Sequence, residues 1–451
     1  MPVKFAATLP QIENPSKWDI IPIHASDRAT FKACRRAWAW SSPSRLNLAP
    51  KTEVHGIREP FWFGTGIHWA LQKYYSPLRE DPVIAWQTWF NLQWAGGLVS
   101  EDEVNDFADR EPEAVREFGK NFPDDEIIGY RIRGLDELLP NPDYDHFMEL
   151  LDLGTGMMNY YKEYAEARDN FTVIATEHDF SVPILDKDGN CLYMRDNRLM
   201  PDDWEPDIET ENVFGPLMKL VGEGSSGFAD GRHYNVMKQV HARGRMDLIL
   251  QDNESGRYGI KDYKTASTIG EDYFKHLDLD EQCTTYLTLG EVEAIIHDLP
   301  YKKLEFISYE ALLKGYPKPP TITSKGVPSI NRQTETTTAE MFAQTIKKLG
   351  IGIIFEKDPK MQSYYQWLLE NEDKRFVNRV DKWRNNMQRI NARIRLYYEA
   401  IDMLSDPVCY PNPRKDYSCL NCIFRTPCLQ AEDGSDYLST LEMGYEKNWD
   451  R

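Results

Sequence analysis

A pair of strand-like runs joined by a short polar turn restricts the fold of this chain more than any other feature. Gly244-Arg245-Met246-Asp247-Leu248-Ile249-Leu250 and Tyr258-Gly259-Ile260-Lys261-Asp262-Tyr263-Lys264-Thr265 are rich in branched and aromatic residues, and Asp252-Asn253-Glu254-Ser255-Gly256 between them has the composition of a hairpin turn. Side chains on a strand alternate between faces, so Ile260, Asp262 and Lys264 share one, with Asp262 and Lys264 about 7 Å apart at Cα. Asp247, on the neighbouring strand, meets them if the register brings its face round. Two carboxylates and an ammonium gathered on one sheet face are costly to bury without partners, and a divalent cation would supply one. At an exposed sheet edge the same residues would be ordinary ion pairs that deter edge-to-edge association.

The chain has 451 residues, 41% of them hydrophobic, with 12 Trp, 24 Tyr and 19 Phe, enough for a packed core of two or three domain-sized units or one elaborated unit. The net charge of −19 excludes a general nucleic-acid coat, whose affinity comes from neutralised phosphates; a nucleic-acid contact must be a local basic groove on an acidic body. No apolar run reaches membrane-spanning length, and residues 1–30 lack the apolar core of a signal peptide. The expectation is a cytoplasmic protein without a membrane partner.

In chain order, Ser26-Asp27-Arg28 offers a helix cap before Phe31, Cys34, Arg35 and Trp38, which recur at helical spacing. A second helix opens at Gly64-Thr65-Gly66-Ile67-His68 after glycine punctuation, and residues 80–168 read as mostly helical, with acidic loops such as Glu101-Asp102-Glu103 and a connector over 136–144. Phe171 to Val182 is strand-like, 186–240 reads as a long insertion, Asp278-Leu279-Asp280-Glu281-Gln282 begins a helix to about Ile296, and Lys303 to Tyr309 is a further strand. Residues 314–338 read as an exposed loop, and Lys374 to Leu404 as one long helix carrying the largest basic concentration in the chain. The resulting division is a helical N-terminal region over 1–170, a core over 171–312, a loop and helical region over 313–405, and a cysteine-bearing segment over 406–451.

Near the C-terminus, Cys419-x2-Cys422-x5-Cys428 lets three thiolates reach one centre. A fourth ligand is available locally from Cys409 or remotely from Cys34. Cys409 would complete a tetrahedral zinc knuckle, whereas Cys34 would complete a four-iron, four-sulfur (4Fe-4S) site that ties the two chain ends together.

Taken together these residues resemble the RecB-type nucleases of the PD-(D/E)XK superfamily, in the iron–sulfur branch that includes CRISPR-associated exonucleases and phage-encoded relatives. Gly64-x-Gly66-x-His68 is similar to the family's first motif, Gly244-Arg245-x-Asp247 to the second, Asp262-x-Lys264 to the third with Asp in place of the commoner Glu, and Gln282-x3-Tyr286 to the motif that follows. The last pair falls on one helical face. Cys34 with Cys419, Cys422 and Cys428 matches the family's cysteine placement and favours Cys34 over Cys409.

The resemblance implies an α/β fold: an αβββαβ restriction-endonuclease-like core with a central mixed sheet, helical elaborations at both ends and an Fe–S clamp joining the termini. It implies a DNA exonuclease that hydrolyses phosphodiester bonds with Mg2+ or Mn2+. Asp247 and Asp262 would be metal ligands with His68 as a nitrogen ligand and the Tyr263 carbonyl as a further one. Lys264 would orient or deprotonate the attacking water, and Gln282 and Tyr286 would hold the substrate or brace Lys264. Glu177 can reach the site from its strand. Expected partners are single-stranded or duplex DNA ends and a helicase, recombinase or integrase, in the host cytoplasm if the protein is phage-encoded. The rival expectation is a non-catalytic DNA-binding or assembly protein, with the cluster or zinc as scaffold. Apart from the resemblance, the basic run from Lys374 reads as a solvated helical face or as a surface that tracks a nucleic-acid backbone, and Trp383 and Tyr397 read first as core residues and second as stacking platforms on it.

Overall fold

The computed structural model describes residues 4–5, 14–17, 19–51, 59–94, 144–196, 236–405, 408–413 and 417–447. The acidic stretch around Glu101, the connector up to residue 143 and the insertion over 197–235 lie outside them. The strands are β1 (Lys4–Phe5), β2 (Ile21–His24), β3 (Leu48–Pro50), β4 (Phe171–Pro183), β5 (Tyr193–Asp196), β6 (Val236–Asp252), β7 (Tyr258–Ala266), β8 (Phe306–Leu313), β9 (Val377–Trp383) and β10 (Tyr445–Lys447). The principal helices are α1 (Ala25–Ala33), α2 (Arg35–Ser41), α3 (Glu59–Tyr74), α4 (Pro82–Trp94), α5 (Tyr144–Arg168), α6 (Glu281–Ile296), α7 (Ala339–Leu349), α8 (Pro359–Arg375), α9 (Asn386–Leu404), α10 (Arg425–Asp433) and α11 (Tyr437–Gly444).

Among the described residues the centre is an eight-stranded mixed sheet in the order β1-β4-β6-β7-β8-β9, with β2 and β5 also paired to β6. The β6–β7 hairpin closes as its sequence requires. Asp252 Oδ1 accepts from the Ser255 amide at 2.7 Å, and Gly256 takes the left-handed φ of 69° that favours glycine. From β7 the chain crosses through α6 to β8, which lies parallel to β7. The helix–three strands–helix–strand order α3, β4, β6, β7, α6, β8 is therefore present around a mixed sheet.

Helices cover both faces of this sheet. On one side Ile249 and Ile260 pack with Leu287 of α6 and with Leu396 and Ala400 of α9; on the other, Leu248, Leu250 and Tyr263 pack with Ile67 of α3, Trp86 and Phe90 of α4, and Met158 of α5. Ile249 against Leu248 and Leu250 is the strand alternation read directly as layers.

Several expected boundaries move, each for a physical reason. Strand β6 begins at Val236, inside the expected insertion, because β5 pairs with its first residues. Gly64 and Gly66 lie within α3, not before it. A Cβ on Gly66 would sit 2.2 Å from the Trp89 ring, so this glycine lets two helices approach and is not punctuation. The expected helix from Cys34's neighbours is two helices, since Cys34 itself is extended at φ −159° and ψ 111°. The long basic helix is also interrupted. Helix α8 stops at Arg375, β9 pairs antiparallel with β8, and α9 restarts from a capping box formed by Asn385 and Gln388.

Three basic side chains of that interrupted run are engaged with the fold. Arg389 Nη1 and Nη2 donate to the Leu287 and Leu304 carbonyls at 2.8 and 2.6 Å, Arg384 donates to Thr284 Oγ1 at 2.8 Å, and Arg395 pairs with Glu281 at 2.7 Å. These residues tie β9 and α9 to α6 and do not form an open basic track. Trp383 is exposed beside Phe306, and Tyr397 packs partly buried against the core.

Because Gly66 leaves no room beside Trp89, Gly66→Val should destabilise the fold by about 1–3 kcal/mol through overpacking. Urea denaturation followed by tryptophan fluorescence measures it, and an unchanged midpoint would contradict this packing.

Candidate active site

The site begins where the central hairpin stops pairing. Strands β6 and β7 are in register from Gln251↔Tyr258 to Leu248↔Lys261. At the next position the Tyr263 amide donates to Asp247 Oδ2 at 2.8 Å, so a side chain takes the ladder's place. This satisfies a backbone donor in a buried strand and fixes the Asp247 carboxylate at the fork.

Helix α3 brings His68 to the same carboxylate, with Nδ1 3.4 Å from Asp247 Oδ2 and the imidazole edge-on to the Tyr263 ring. Glu177 arrives from β4, where its φ of 46° breaks the regular pairing between Thr176↔Leu248 and His178↔Met246. A left-handed φ on a non-glycine residue costs about 1–3 kcal/mol and here re-aims one side chain. The result is a compact N,O,O set: ligand atoms of His68, Glu177 and Asp247 lie within 4.8 Å of one another. An imidazole with two carboxylates suits a divalent cation such as Mn2+ or Mg2+.

Asp262 and Lys264 lie together on β7, with Lys264 Nζ 2.7 Å from Asp262 Oδ2. Asp262 is outside the compact set but close enough to Asp247 and His68 to sense both charges. Burial, reinforced by repulsion from Asp247, pushes Asp262 up to about 6 despite Lys264. Burial together with Asp247 pushes Glu177 up to about 7. For Asp247 burial acts upward, but the His68 hydrogen bond, Lys264 and the Tyr263 amide outweigh it and hold the carboxyl below its ordinary value. Lys264 is pulled down by burial yet raised overall by Asp262 and Asp247, so its amine stays an ammonium. Two carboxyls displaced upward, first by burial and then by Asp247, are groups whose charged form a bound cation would stabilise.

Gln282 and Tyr286 stand one turn apart on α6 and are hydrogen-bonded to each other. Tyr286 packs edge-on against Phe180 at 5.5 Å and senses Lys264, Asp262 and Asp247. A Cβ on Gly244 would lie 2.7 Å from the Phe180 ring and 3.1 Å from Tyr286, which accounts for glycine at that motif position.

One cluster beneath the site was not singled out from sequence. Lys261 points to the opposite face of β7 and is almost fully buried, 3.2 Å from Asp169 and 3.4 Å from Glu310. Arg379 of β9 pairs with both acids, and the Tyr75 and Tyr161 hydroxyls donate to Asp169 and Glu310 respectively. A lysine between Ile260 and Asp262, in a strand covered on both faces, was the available signal.

The terminal cysteines come within electrostatic reach of one another across the chain, but among the described residues their sulfurs do not form a compact set like that of His68, Glu177 and Asp247. Cys34, Cys419 and Cys428 are near enough to act on Cys422, whose thiol is pushed up first by burial and then by these three. Cys422 and Cys428 pack on the cluster of Trp40, Phe424, Leu441 and Tyr445, and β10 pairs with β3. Arg36 Nη1 lies 3.7 Å from Cys428 Sγ. Cys409 packs instead against the main core.

No curated protein matches the chain. A family model for the PD-(D/E)XK nuclease superfamily matches residues 23–429, a span that contains every motif position from His68 to Cys428. With its mixed sheet, its forked strands and this match over most of its length, the chain belongs to the PD-(D/E)XK nuclease superfamily.

Proposed function

We propose that this protein is a divalent-metal-dependent DNA exonuclease of the RecB-type branch, acting in DNA processing, repair or recombination. The observation that carries the reading is the convergence of His68, Glu177 and Asp247 beside the Asp262–Lys264 pair. His68, Asp247 and Asp262 would hold the cation, and the proximity of Glu177 adds it to that set. Bound Mg2+ or Mn2+ would neutralise phosphate charge and make a water acidic enough to attack.

The chain's own groups then divide the work. Asp247 is kept ionised by His68 and the Tyr263 amide, so it carries negative charge at neutral pH. Lys264 donates hydrogen bonds toward the phosphate oxygens and orients or deprotonates the attacking water. Gln282 and Tyr286 brace this side of the site and steer the substrate strand. A DNA end is the expected substrate, and a helicase, recombinase or integrase a fitting partner. No helix among the described residues is long and apolar enough to cross a membrane.

Cys34, Cys419, Cys422 and Cys428 would hold a 4Fe-4S cluster that pins the termini together beside the catalytic sheet. Support comes from the approach of Cys34, rather than Cys409, to Cys422.

Asp262→Ala and Lys264→Ala should each abolish Mg2+- or Mn2+-dependent cleavage of linear DNA while circular dichroism stays unchanged; retained cleavage would refute the assignment. The raised Glu177 and Asp262 values give a further expectation. A folded state that holds protons the unfolded chain releases at about pH 4 loses stability as pH rises to about 7. The melting temperature of the metal-free protein should fall across that window, Mn2+ should raise it more at the upper end, and Glu177→Gln should flatten the slope. Anaerobic purification should yield about four irons per chain. Cys34→Ala should lower iron content and Cys409→Ala should not, whereas stoichiometric zinc without iron would overturn the cluster.

A further inference from the structure

Strand β6 pairs with β4 along one edge, and its other edge is shared by two strands that do not meet. Strand β2 pairs with it only as far as His24↔Arg243, and β7 begins only at Leu248↔Lys261. Among the described residues, no strand covers positions 244–247 on that edge. One end of this gap is the fork at Asp247. The other opens into a cleft of about 440 Å³, floored by Gly244 and Arg245 and walled by the start of α1 and the start of α6. That volume lies in the range of ligand sites.

The charged side chains lining the cleft have partners, with one exception. Arg28 donates to Glu399 at 2.7 Å and to Thr285 at 2.9 Å, and Arg245 donates to both oxygens of Asp179 at 2.8 and 3.0 Å. Glu281 is held by Arg395 and Lys32, and Asp280 caps α6 through the Cys283 amide at 2.7 Å. Arg243 makes no hydrogen bond or ion pair among the described residues. It is half-buried, and burial lowers it from the ordinary guanidinium value with Asp179 as the offsetting charge. That acid is already committed to Arg245. A guanidinium partly removed from water, whose neighbouring acid is hydrogen-bonded to another arginine, favours an anion from outside the chain.

We infer that Arg243 binds a phosphate of the substrate strand in this cleft, at a distance from the phosphate being cut. It lies four strand positions from Asp247, about 13 Å at strand rise, too far to serve the scissile phosphate and near enough to hold another phosphate of the same strand. The guanidinium fork suits phosphate oxygens, and Tyr286, which lines the cleft with Gln282, also senses Asp262, Lys264 and Asp247. This extends the nuclease reading by giving the substrate strand a path along the open edge of β6. The bound group is a terminal phosphomonoester or an internal phosphodiester.

The test is DNA binding in EDTA, which proceeds without cleavage, by fluorescence anisotropy over a salt series. The probes are short single strands with 5′-phosphate, 3′-phosphate or hydroxyl ends, and a circular single strand. Arg243→Ala should weaken binding about ten-fold and reduce the slope of log affinity against log salt by about one. Arg243→Gln should do the same, Arg243→Lys should retain part of the binding, and kcat in Mg2+ should change less than KM. A loss confined to one phosphorylated end assigns the cleft to that terminal group, and an equal loss on all probes assigns it to an internal phosphate. Unchanged affinity and salt slope in a folded Arg243→Ala protein would overturn the inference even if the enzyme cuts DNA. Arg243-dependent binding by a protein that never cuts would sustain it while refuting the nuclease reading.

Discussion

The Tyr263 amide gives its hydrogen to the Asp247 side chain, 2.8 Å away, at the point where a neighbouring strand would otherwise receive it. Around that bond the rest of the site is arranged. It ends the β6–β7 ladder without leaving a buried donor unsatisfied and holds a carboxylate ionised at the mouth of the fork. His68 then has a fixed partner, and Glu177 reaches the same point only by accepting a left-handed backbone. Strain of that kind survives when surrounding pairings hold it, and β4 is paired with β6 on both sides of Glu177.

The two faces of β7 treat charge in opposite ways. Behind the strand, Lys261 and Arg379 balance Asp169 and Glu310, and two tyrosine hydroxyls complete the acids' hydrogen bonds. In front, three acids, Asp247, Glu177 and Asp262, share Lys264, Arg245 and the His68 imidazole, and two of the three are pushed upward toward protonation, first by burial. A balanced buried cluster joins β7, β8 and β9 rigidly, whereas an unbalanced one awaits a ligand. Rigid support behind the catalytic strand is what preorganised charge in front of it requires. Arg243 repeats the distinction in the cleft, where its neighbours are paired and it is not.

Much of this was legible in local spacing. Asp262 and Lys264 two apart, Gly244-Arg245-x-Asp247 on the preceding strand and Gln282 one turn before Tyr286 each follow from the period of a strand or helix, and the structure brings all of them to one end of the sheet. What local spacing could not carry was nonlocal. Residues 377–383 sit among good helix formers, yet the edge of β8 draws them into a strand. Gly66 looked like punctuation because its reason for being glycine is Trp89, 23 positions later. Cys34 shares a helical stripe with Phe31 and Trp38 in the sequence, but its backbone is extended and its charge acts on Cys422, 388 positions later. The backbone of Glu177 has no sequence signature at all, since a glutamate rarely takes a positive φ unless tertiary contacts impose it.

In the proposed function His68 and the fork carboxylates hold one divalent cation. Electron-nuclear double resonance on Mn2+ added to protein with 15N-labelled histidine tests it directly. A nitrogen coupling from one directly bound imidazole is expected, lost in His68→Ala, together with weaker Mn2+ affinity in Asp247→Asn. Tight binding of Mn2+ with no nitrogen coupling, undisturbed by either substitution, would contradict it.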